Sequence, residues 1–416
     1  MPMSSTPVAL LRDRGYRTYL SAHLVGSFGD SIMWLAAGIW VQKLTGSNGG
    51  AALTFLFALL PALVAPLAGA IVDRVPRRSA LVVLNLAGGL CVLPLLAVSE
   101  AGQVWLVYLV MFLNGLVSVG IRPAQSAQLV ELAHADDLPA LNGLLRSCLA
   151  AFKLVSPALG AGLFVAAGPQ VVVLVDSVTS FVAAALLARL PRRVAPERQG
   201  GGGDFLRTFL DGFRALHADP ALRRLTVVGC VFMGAAGTSE SLRWAVVTEG
   251  LGRSAAWIGP LVTVMGLGSV ATGLLASRVV GRAGPLRATA LSLTMFGGGC
   301  ALWLVEHPVA VGVGAVLVGG GSTLLVVATL VLLQQSTADH LQGKVFSAFE
   351  LLTTGPQIAS VALGAVLVTV VDYRVTMAAL ALVSLALAWY ATAGPRHPRR
   401  AASLDGDAQA PVQQHA

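Results

Sequence analysis

Long apolar stretches separated by short polar turns recur along the whole chain. Each stretch holds roughly 20 residues, the length that a helix needs to cross about 30 Å of hydrocarbon. The pattern predicts an all-α membrane protein with twelve transmembrane helices in two pseudo-symmetric six-helix bundles. Their predicted limits are 17–42, 51–72, 79–98, 103–128, 140–166, 170–190, 222–248, 256–280, 286–305, 308–335, 343–370 and 374–393.

The longest polar stretch divides these helices into two groups of six. It contains the glycine run 200–203 together with prolines and many arginines, which is typical of a linker. Within it, residues 204–216 are predicted to form an amphipathic helix on the inner membrane face. The predicted units are an N-terminal bundle at 1–190, a cytoplasmic linker at 191–221, a C-terminal bundle at 222–394 and a disordered cytoplasmic tail at 395–416.

The composition and the placement of charge indicate the compartment. The chain is 56% hydrophobic and 12% charged, against about 25% charged residues in soluble domains. Its net charge of +8 would suit nucleic acid, but most Lys and Arg residues share one membrane side if both termini are cytoplasmic. Because positive loops stay inside, we predict cytoplasmic termini, a multi-pass position in the plasma membrane and no nucleic-acid partner. The first apolar run lacks a small-residue cleavage site, so we expect a span there and not a cleaved signal.

The residue types that bind metals or form disulfides are present but scattered. Cys91, Cys148, Cys230 and Cys300 lie inside apolar stretches without CxxC spacing, and the seven histidines show no ligand-like spacing. Buried cysteines usually behave as small hydrophobic side chains. We therefore predict no disulfide, no metal and no cofactor.

Several predicted helices carry polar side chains at helical spacing along one face. Such a stripe must face another stripe or a water-filled cavity, because lipid offers it no hydrogen-bond partner. The stripes are His23, Ser27, Asp30 and Trp34 in the first helix; Asn114, Ser118, Arg122 and Gln125 in the fourth; Asn142, Arg146 and Lys153 in the fifth; and Glu350, Thr353, Thr354 and Gln357 in the eleventh.

Ionisable residues within the predicted helices mark the interior of the protein. Each would cost roughly 2.5–3.5 kcal/mol in lipid, so we expect these residues to face inward and to pair. Glu240 and Arg243 are three residues apart and can pair on one helical face. The full set is Asp30, Arg122, Arg146, Lys153, Asp176, Glu240, Arg243 and Glu350.

A charged loop between the second and third predicted helices recurs in outline in the second half. It occupies residues 69–78, and a similar frame occupies 273–282. Duplication of six plus six spans is expected of secondary transporters, whose halves rock about a site near the membrane midplane. The loop resembles the signature of the major facilitator superfamily. The matching residues are Gly69, Asp73, Arg74, Arg77 and Arg78, with Arg278 and Arg282 in the second copy.

A narrower set of segments is similar to the drug and siderophore exporters of that superfamily, such as the macrolide-efflux and enterobactin-exporter-like proteins. Ser156 departs from the Gly that is usual there, and Lys344 departs from a common Arg. The resemblance implies a bacterial proton antiporter that exports a small molecule. The similar segments are Gly29-Asp30, Arg122-Pro123-Ala124, 141–144, 156–160, 176–181 and 343–345.

Asp30 lies near the middle of the first predicted helix and is the leading candidate for a proton carrier. A buried carboxyl whose basic partner moves during transport can take up and release a proton. The resemblance implies Arg122 as that partner, and Glu240 is a third candidate for proton coupling. A permanent ion pair between Asp30 and Arg122, which would only lock two helices together, is the alternative.

Two bases in the fifth predicted helix point to an anionic group on the substrate. Arg146 and Lys153 lie two helical turns apart and would bind a carboxylate, phenolate or phosphate, or would instead pair with acids across helices. Aromatic residues beside the charges would line an apolar pocket for a bulky compound. The predicted cavity set is Phe28, Trp34, Asn114, Arg146, Lys153, Arg243, Trp244 and Gln357.

The resemblance assigns a gating role to the charged loop. Its arginines satisfy the positive-inside rule in any case, while Asp73 and Arg74 would hold the cytoplasmic side shut in one state. Gly69 would let the helix end approach a neighbour closely. The predicted gating set is Gly69, Asp73, Arg74, Arg77, Arg78, Arg278, Arg282 and Glu350.

These features predict a monomeric transporter that exports a small amphipathic organic compound, such as a drug, antibiotic or secondary metabolite, by proton antiport. Its partners would be the substrate, protons and the lipid bilayer. The alternatives are an uncoupled facilitator, an importer or a lysolipid flippase of the same fold. An intramembrane enzyme or receptor is disfavoured because the sequence lacks a nucleophile with an adjacent base, a metal-ligand cluster and a sizeable extramembrane domain.

Overall fold

The computed structural model describes residues 10, 12–65, 75–134, 137–191, 205–337 and 341–393. Within these ranges the chain is folded into α-helices and contains no β-strand. The first six helices are α1 (Arg14–Thr45), α2 (Asn48–Leu59), α3 (Arg77–Val92), α4 (Val104–Leu132), α5 (Leu138–Ala167) and α6 (Pro169–Leu187). The others are α7 (Phe205–Ala218), α8 (Pro220–Ala245), α9 (Ile258–Ala283), α10 (Pro285–Leu302), α11 (Pro308–Ser336), α12 (Gln342–Val370) and α13 (Tyr373–Thr392).

Short 3₁₀ or π-helical turns extend several of these helices. Pro61 and Pro94 begin two of them, because a proline cannot donate the backbone hydrogen bond that continues an α-helix. A π-helical turn follows α8, a form that often marks functional sites. The 3₁₀ segments are Leu60–Val64, Leu93–Ala97, Ala101–Gln103, Ala255–Trp257 and Trp303–Val305, and the π-helical turn is Val246–Gly250.

The prediction of an all-α membrane protein is confirmed. Ten helices of the described chain are long and apolar enough to cross a bilayer. The second and fifth predicted spans overlap the shorter apolar helices Asn48–Val64 and Val155–Ala167. The second predicted span continues to residue 72, and its residues from 66 onward lie outside the described part. In the fifth, α5 itself runs from Leu138 to Ala167, and Val155–Ala167 is its apolar second half.

Tight turns make successive membrane helices antiparallel. Gly46, with φ of 69°, ends α1, and the Ser47 side chain then caps α2 by accepting a hydrogen bond from the Gly50 N–H at 3.0 Å. Gly168 alone separates α5 from α6 and has φ of 83°, a value that disfavours any residue with a Cβ. We call the side on which α1 begins the tail side and the opposite side the far side.

The helices α1–α6 and α8–α13 form two sets that meet through α5 with α9 and through α2 with α12 and α8. Gly49 on α2 faces Ala365 and Thr369 on α12, where an added Cβ would lie 2.8 Å from the Thr369 methyl carbon. Gly259 on α9 faces Ala161 on α5 in the same manner. Both contacts lie toward the far side, so the two sets are packed most tightly there.

The predicted amphipathic helix of the linker exists as α7. Leu216 is 2% exposed and belongs to an apolar cluster with Leu222 and Val345. The Asp211 carboxylate lies 2.9 Å from the Lys344 ammonium at the start of α12. Part of the apolar face of α7 is therefore buried against protein, while Leu210, 39% exposed, and Phe213, 42% exposed, remain for the membrane surface.

A polar cluster outside the membrane ties α10 to α13 on the far side. The Glu306 carboxylate accepts hydrogen bonds from the Arg374 guanidinium and, at 2.8 Å, from the Tyr373 hydroxyl. The hydrogen bonds from Arg374 and then from Tyr373 lower the pKa of Glu306 below its ordinary value. Because the folded-state pKa is depressed, the stabilisation is present above the unfolded pKa of about 4.3 and is lost as the pH falls through the folded value.

We predict that Glu306→Gln lowers the thermal midpoint of the detergent-solubilised protein at pH 7 by about 1–3 °C. The difference from the unsubstituted protein should shrink as the pH falls from 5 toward 3, since the carboxylate is then protonated in both states. Glu100→Gln, which removes a far-side charge in a capped turn, is the matched control. A midpoint difference that stays constant with pH would contradict the assignment.

Candidate functional site

A cavity of about 130 Å³ lies between the two sets of helices. Its wall combines one ion pair with three aromatic rings, and α1, α2, α5, α8 and α9 all contribute. Such a position between pseudo-symmetric halves is where transporters of this construction bind their substrates. The lining residues that matter chemically are Ser31, Trp34, Phe55, Glu240, Arg243 and Trp244.

The ion pair predicted from sequence spacing is present. Arg243 Nη2 contacts Glu240 Oε1 one turn earlier on α8, and Arg243 Nη1 lies 3.5 Å from the Met265 sulfur. Arg243 is 6% exposed, whereas the Glu240 side chain is 33% exposed and faces the cavity. Because Arg243 is buried and Glu240 is partly exposed, Glu240 is the member of the pair that a substrate can reach.

Three aromatic rings form a continuous wall across the interface. The Trp34 and Phe55 ring centroids are 5.7 Å apart at an interplanar angle of 62°, and Phe55 lies 6.3 Å from Trp244. Phe28, also predicted for the cavity, packs instead against Phe152 at 5.6 Å. The sequence reading missed Phe55, because it lies in an apolar run of α2 with no polar neighbour to distinguish it.

A second cavity of about 110 Å³ lies among α1, α2 and α4. Trp34 lines both cavities and separates them. Asp30, Asn114 and Arg122 line the second one, as their helical stripes suggested. Asp30 and Arg122 make no ion pair within the described residues, and Arg122 is exposed. The locked ion pair is therefore absent from this state of the protein, and both charges remain free to change partners.

The other predicted cavity residues are more peripheral. Arg146 on α5 is exposed, and Gln357 on α12 is half-buried, with its backbone carbonyl accepting a hydrogen bond from the Ser360 hydroxyl at 2.8 Å. The side chain of Lys153 lies outside the described residues. The structure thus does not bring Arg146 and Gln357 to the walls of the two cavities described above.

Part of the predicted gating set lies outside the described residues, namely Gly69, Asp73 and Arg74. Arg77 is 7% exposed and lies 3.8 Å from Glu131 on α4. Arg78 donates hydrogen bonds to the carbonyls of Leu187, at 3.3 Å, and Ala188 at the end of α6. Both arginines thus fasten α3 to helices of its own set. Three further members are exposed near the tail side: Arg278, Arg282 and Glu350.

The far side is closed by hydrogen bonds between the two sets. Asn48 Nδ2 donates to Thr248 Oγ1 at 2.9 Å and to Glu249 Oε1 at 2.8 Å. Asn48 begins α2, and its two partners lie in the π-helical turn after α8. We call these three residues the far-side latch. Nothing in the sequence marked it, because its members belong to short turns about 200 positions apart.

The tail side is organised differently. Tyr16 donates a hydrogen bond to Asp137 at 3.1 Å, and Lys344 pairs with Asp211, but each of these contacts stays within one set or with α7. Between described residues, hydrogen bonds that join the two sets are found only at the far-side latch. The structure therefore has a closed far side, whereas the tail-side segments at 66–74, 135–136, 192–204 and 338–340 lie outside the described residues.

Two helix sets around a central cavity lined by aromatic rings and one ion pair, closed at one end, are the architecture of a membrane transport protein. A family model described as Major Facilitator Superfamily matches residues 19–352 and 241–414. The chain belongs to this superfamily. It is accordingly a multi-pass membrane transporter, in agreement with the prediction that it is not an enzyme.

Relatives in sequence are distant. Macrolide efflux protein A of Streptococcus pyogenes is 25% identical over 223 residues, which is 52% of this chain and 55% of that protein. The chain therefore spans only about half the length of this curated relative. The uncharacterized MFS-type transporter YfiS of Bacillus subtilis is 24% identical over 374 residues, covering 85% of this chain and 87% of that protein.

Solved structures share the fold at low sequence identity. A variant of the nucleoside transporter NupG superposes with a TM-score of 0.75 at 12% identity, covering 91% of this chain and 99% of that one. A bacterial homologue of the iron transporter ferroportin in an inward-facing state gives a TM-score of 0.66 at 17% identity, covering 91% and 97%. These likenesses support the fold alone.

We predict that Asn48→Asp opens the far side. The substitution replaces the hydrogen bond to Glu249 by repulsion between two carboxylates, while the Thr248 hydroxyl can still donate to residue 48. A hydrogen bond to a charged group is worth about 1.5–3 kcal/mol. The open fraction should therefore rise about tenfold or more. The measurement is labelling of Ser31→Cys by a membrane-impermeant thiol reagent from the far side, after the native cysteines are replaced by alanine.

Asn142→Asp is the matched control for this experiment. It adds the same charge at an exposed position of α5, where the Asn142 amide bonds only to the Leu138 carbonyl of its own helix. Equal labelling of Ser31→Cys in the Asn48→Asp variant and the control would show that the latch does not hold the far side shut.

Proposed function

We propose that this transporter exports a small amphipathic organic compound from a bacterial cytoplasm by proton antiport. One observation carries the proposal: Asp30, an acid without an ion-pair partner among the described residues, lines a cavity of the first set that adjoins, at Trp34, the aromatic-walled cavity between the two sets. The tail side is assigned to the cytoplasm, because most Lys and Arg residues of the loops lie there. The macrolide efflux proteins among the relatives support export as the direction.

The chemistry of the wall suits a compound with a broad apolar surface and a polar or basic group. Trp34, Phe55 and Trp244 offer apolar contact, and the half-exposed Glu240 offers a hydrogen-bond acceptor. The two cavities of about 130 and 110 Å³ are smaller than the roughly 300–1,000 Å³ of ligand pockets. Substrate binding therefore requires the cavities to merge, and the Trp34 ring that separates them is the group that must move.

Substrate export is coupled to proton entry because Asp30 lines the same cavity as Arg122, which can approach the carboxyl or withdraw from it. With the tail side open, Asp30 is charged and substrate enters. Once the far-side latch opens, Asp30 takes a proton from the outside and the substrate leaves. On return, approach of the Arg122 guanidinium favours the charged carboxylate and expels the proton to the cytoplasm. Protons and the substrate are thus exchanged by a single chain, which works as a monomer in the bilayer.

We predict that the purified protein in proteoliposomes accumulates a radiolabelled macrolide against its gradient when the far side is acidic. One-for-one exchange limits accumulation to about tenfold per pH unit, since one pH unit is worth about 1.4 kcal/mol. Asp30→Asn should abolish accumulation while downhill flux persists. Asp372→Asn, which removes an acid from a far-side turn, should behave like the parent protein. Full coupling in Asp30→Asn would exclude that residue from the mechanism.

We predict that Trp34→Ala raises the KM for transport about 5- to 30-fold, because a lost aromatic contact at a binding site costs about 1–2 kcal/mol. Trp34→Phe should restore most of the affinity. Trp257→Ala is the control, as Trp257 stacks on Arg253 near the far side and is 48% exposed. An unchanged KM in Trp34→Ala would place the substrate elsewhere.

A further inference from the structure

A second acid lies deep in the first set of helices and has no role in the mechanism described above. Asp176 is in the middle of α6 and is 1% exposed. Its Oδ1 atom is buried without a hydrogen-bond partner in the described part of the chain. A buried carboxyl left in this condition costs several kcal/mol if charged, so a purely structural role gives no reason to keep it.

The unpartnered oxygen points at the place where α1 and α6 touch. A Cβ added at Gly29 would lie 2.9 Å from Asp176 Oδ1 and 3.1 Å from its Cα. Only glycine permits this contact, and the next residue along α1 is Asp30. The Asp176 carboxyl therefore lies against α1 at the residue that directly precedes Asp30.

Among the described residues, neither of the two acids is paired with a positive charge. In the described residues, Asp176 makes no ion pair, and Arg122 shares a cavity with Asp30 without pairing with it. The side chain of Lys153 on the neighbouring α5 lies outside the described residues. The other titratable groups of this region on α1 and α3 are Cys91 and, two helical turns before Asp30, His23, whose Nδ1 has no hydrogen-bond partner among the described residues.

A metal cation does not explain the pair. The described residues contain no group of three or more His, Cys, Asp or Glu side chains placed to hold a metal. Calcium and magnesium require about six oxygen ligands, and two carboxylates supply too few. Two acids close together in a medium of low dielectric are instead stabilised by one proton held between them, with apparent titration steps that belong to the pair.

We propose that Asp176 and Asp30 form a single two-carboxyl site that carries the transported proton. This assignment rests on the proton antiport proposed above. Asp30 faces the cavity and exchanges the proton with water, whereas Asp176 is sealed behind Gly29 and reaches the proton only through Asp30. Asp176 makes a second negative charge on Asp30 unfavourable, so the site keeps one proton until Arg122 approaches.

The test is infrared spectroscopy of the protonated carboxyl bands of the purified full-length protein, recorded from pH 4 to 9. Asp176→Asn removes the repulsion, so the Asp30 band should lose its proton at a midpoint at least about one pH unit lower. Asp30→Asn should shift the remaining Asp176 band in the same direction. Ser177→Ala, which loses the buried hydrogen bond to the Gly89 carbonyl at 2.9 Å, should leave both midpoints unchanged.

An Asp30 midpoint that is the same in Asp176→Asn and the parent protein would overturn the proposal. If Asp176→Asn does not fold, Asp30→Asn decides: an Asp176 band that never titrates between pH 4 and 9 identifies a permanently protonated structural acid. The infrared result is independent of transport. Transport by the parent protein that ignores a pH gradient would overturn the antiport mechanism, even where the two carboxyls are coupled.

Discussion

The cost of placing charge in hydrocarbon governs the arrangement of this protein. Every ionisable side chain within a span must be paired, hydrated or protonated, because lipid cannot solvate it. The chain uses all three solutions. Glu240 and Arg243 pair on one helix, Arg122 and Arg146 reach an exposed surface on the tail side, and Asp176 is buried beside another acid. Of these groups, Glu240 and Arg243 line the cavity between the two sets, and Arg122 lines the cavity among α1, α2 and α4.

The two sets of helices are held together at the far side, so the cavity between them is closed toward that side. Asn48 binds across the interface to Thr248 and Glu249, and Gly49 brings α2 against α12 immediately beside them. Tail-side contacts such as Arg78 with Leu187 fasten helices within one set. Opening the far side therefore breaks a few hydrogen bonds and leaves each set intact. A rigid-body rocking motion between the sets is the simplest movement that such an arrangement permits.

Sequence reasoning succeeded where the relevant information is local. Spacing of three residues predicted the Glu240–Arg243 pair, and the stripe on α4 correctly placed Asn114 and Arg122 on one cavity. It failed where contacts depend on how distant helices approach. Nothing near Phe55 distinguished it from other apolar residues, and the neighbourhood of Asp30 and Asp176 depends on Gly29 at a crossing of two helices. Sequence reasoning also left open a permanent ion pair between Asp30 and Arg122. Among the described residues the structure has no such pair, which only the relative placement of α1 and α4 could show.

Apolar length and helical periodicity, which are properties of the covalent chain, were enough to predict an all-α membrane protein and the polar faces of its helices. The charged loop at 69–78 was enough to identify the family. Tertiary structure alone decided which faces meet, because each contact depends on the crossing of helices that are far apart in sequence. It determined that Trp34 stands between two cavities, that the far side is the closed one, and that Asp176 lies behind Asp30. The local sequence pattern does not show which distant helices come into contact, so these features could be seen only in the folded chain.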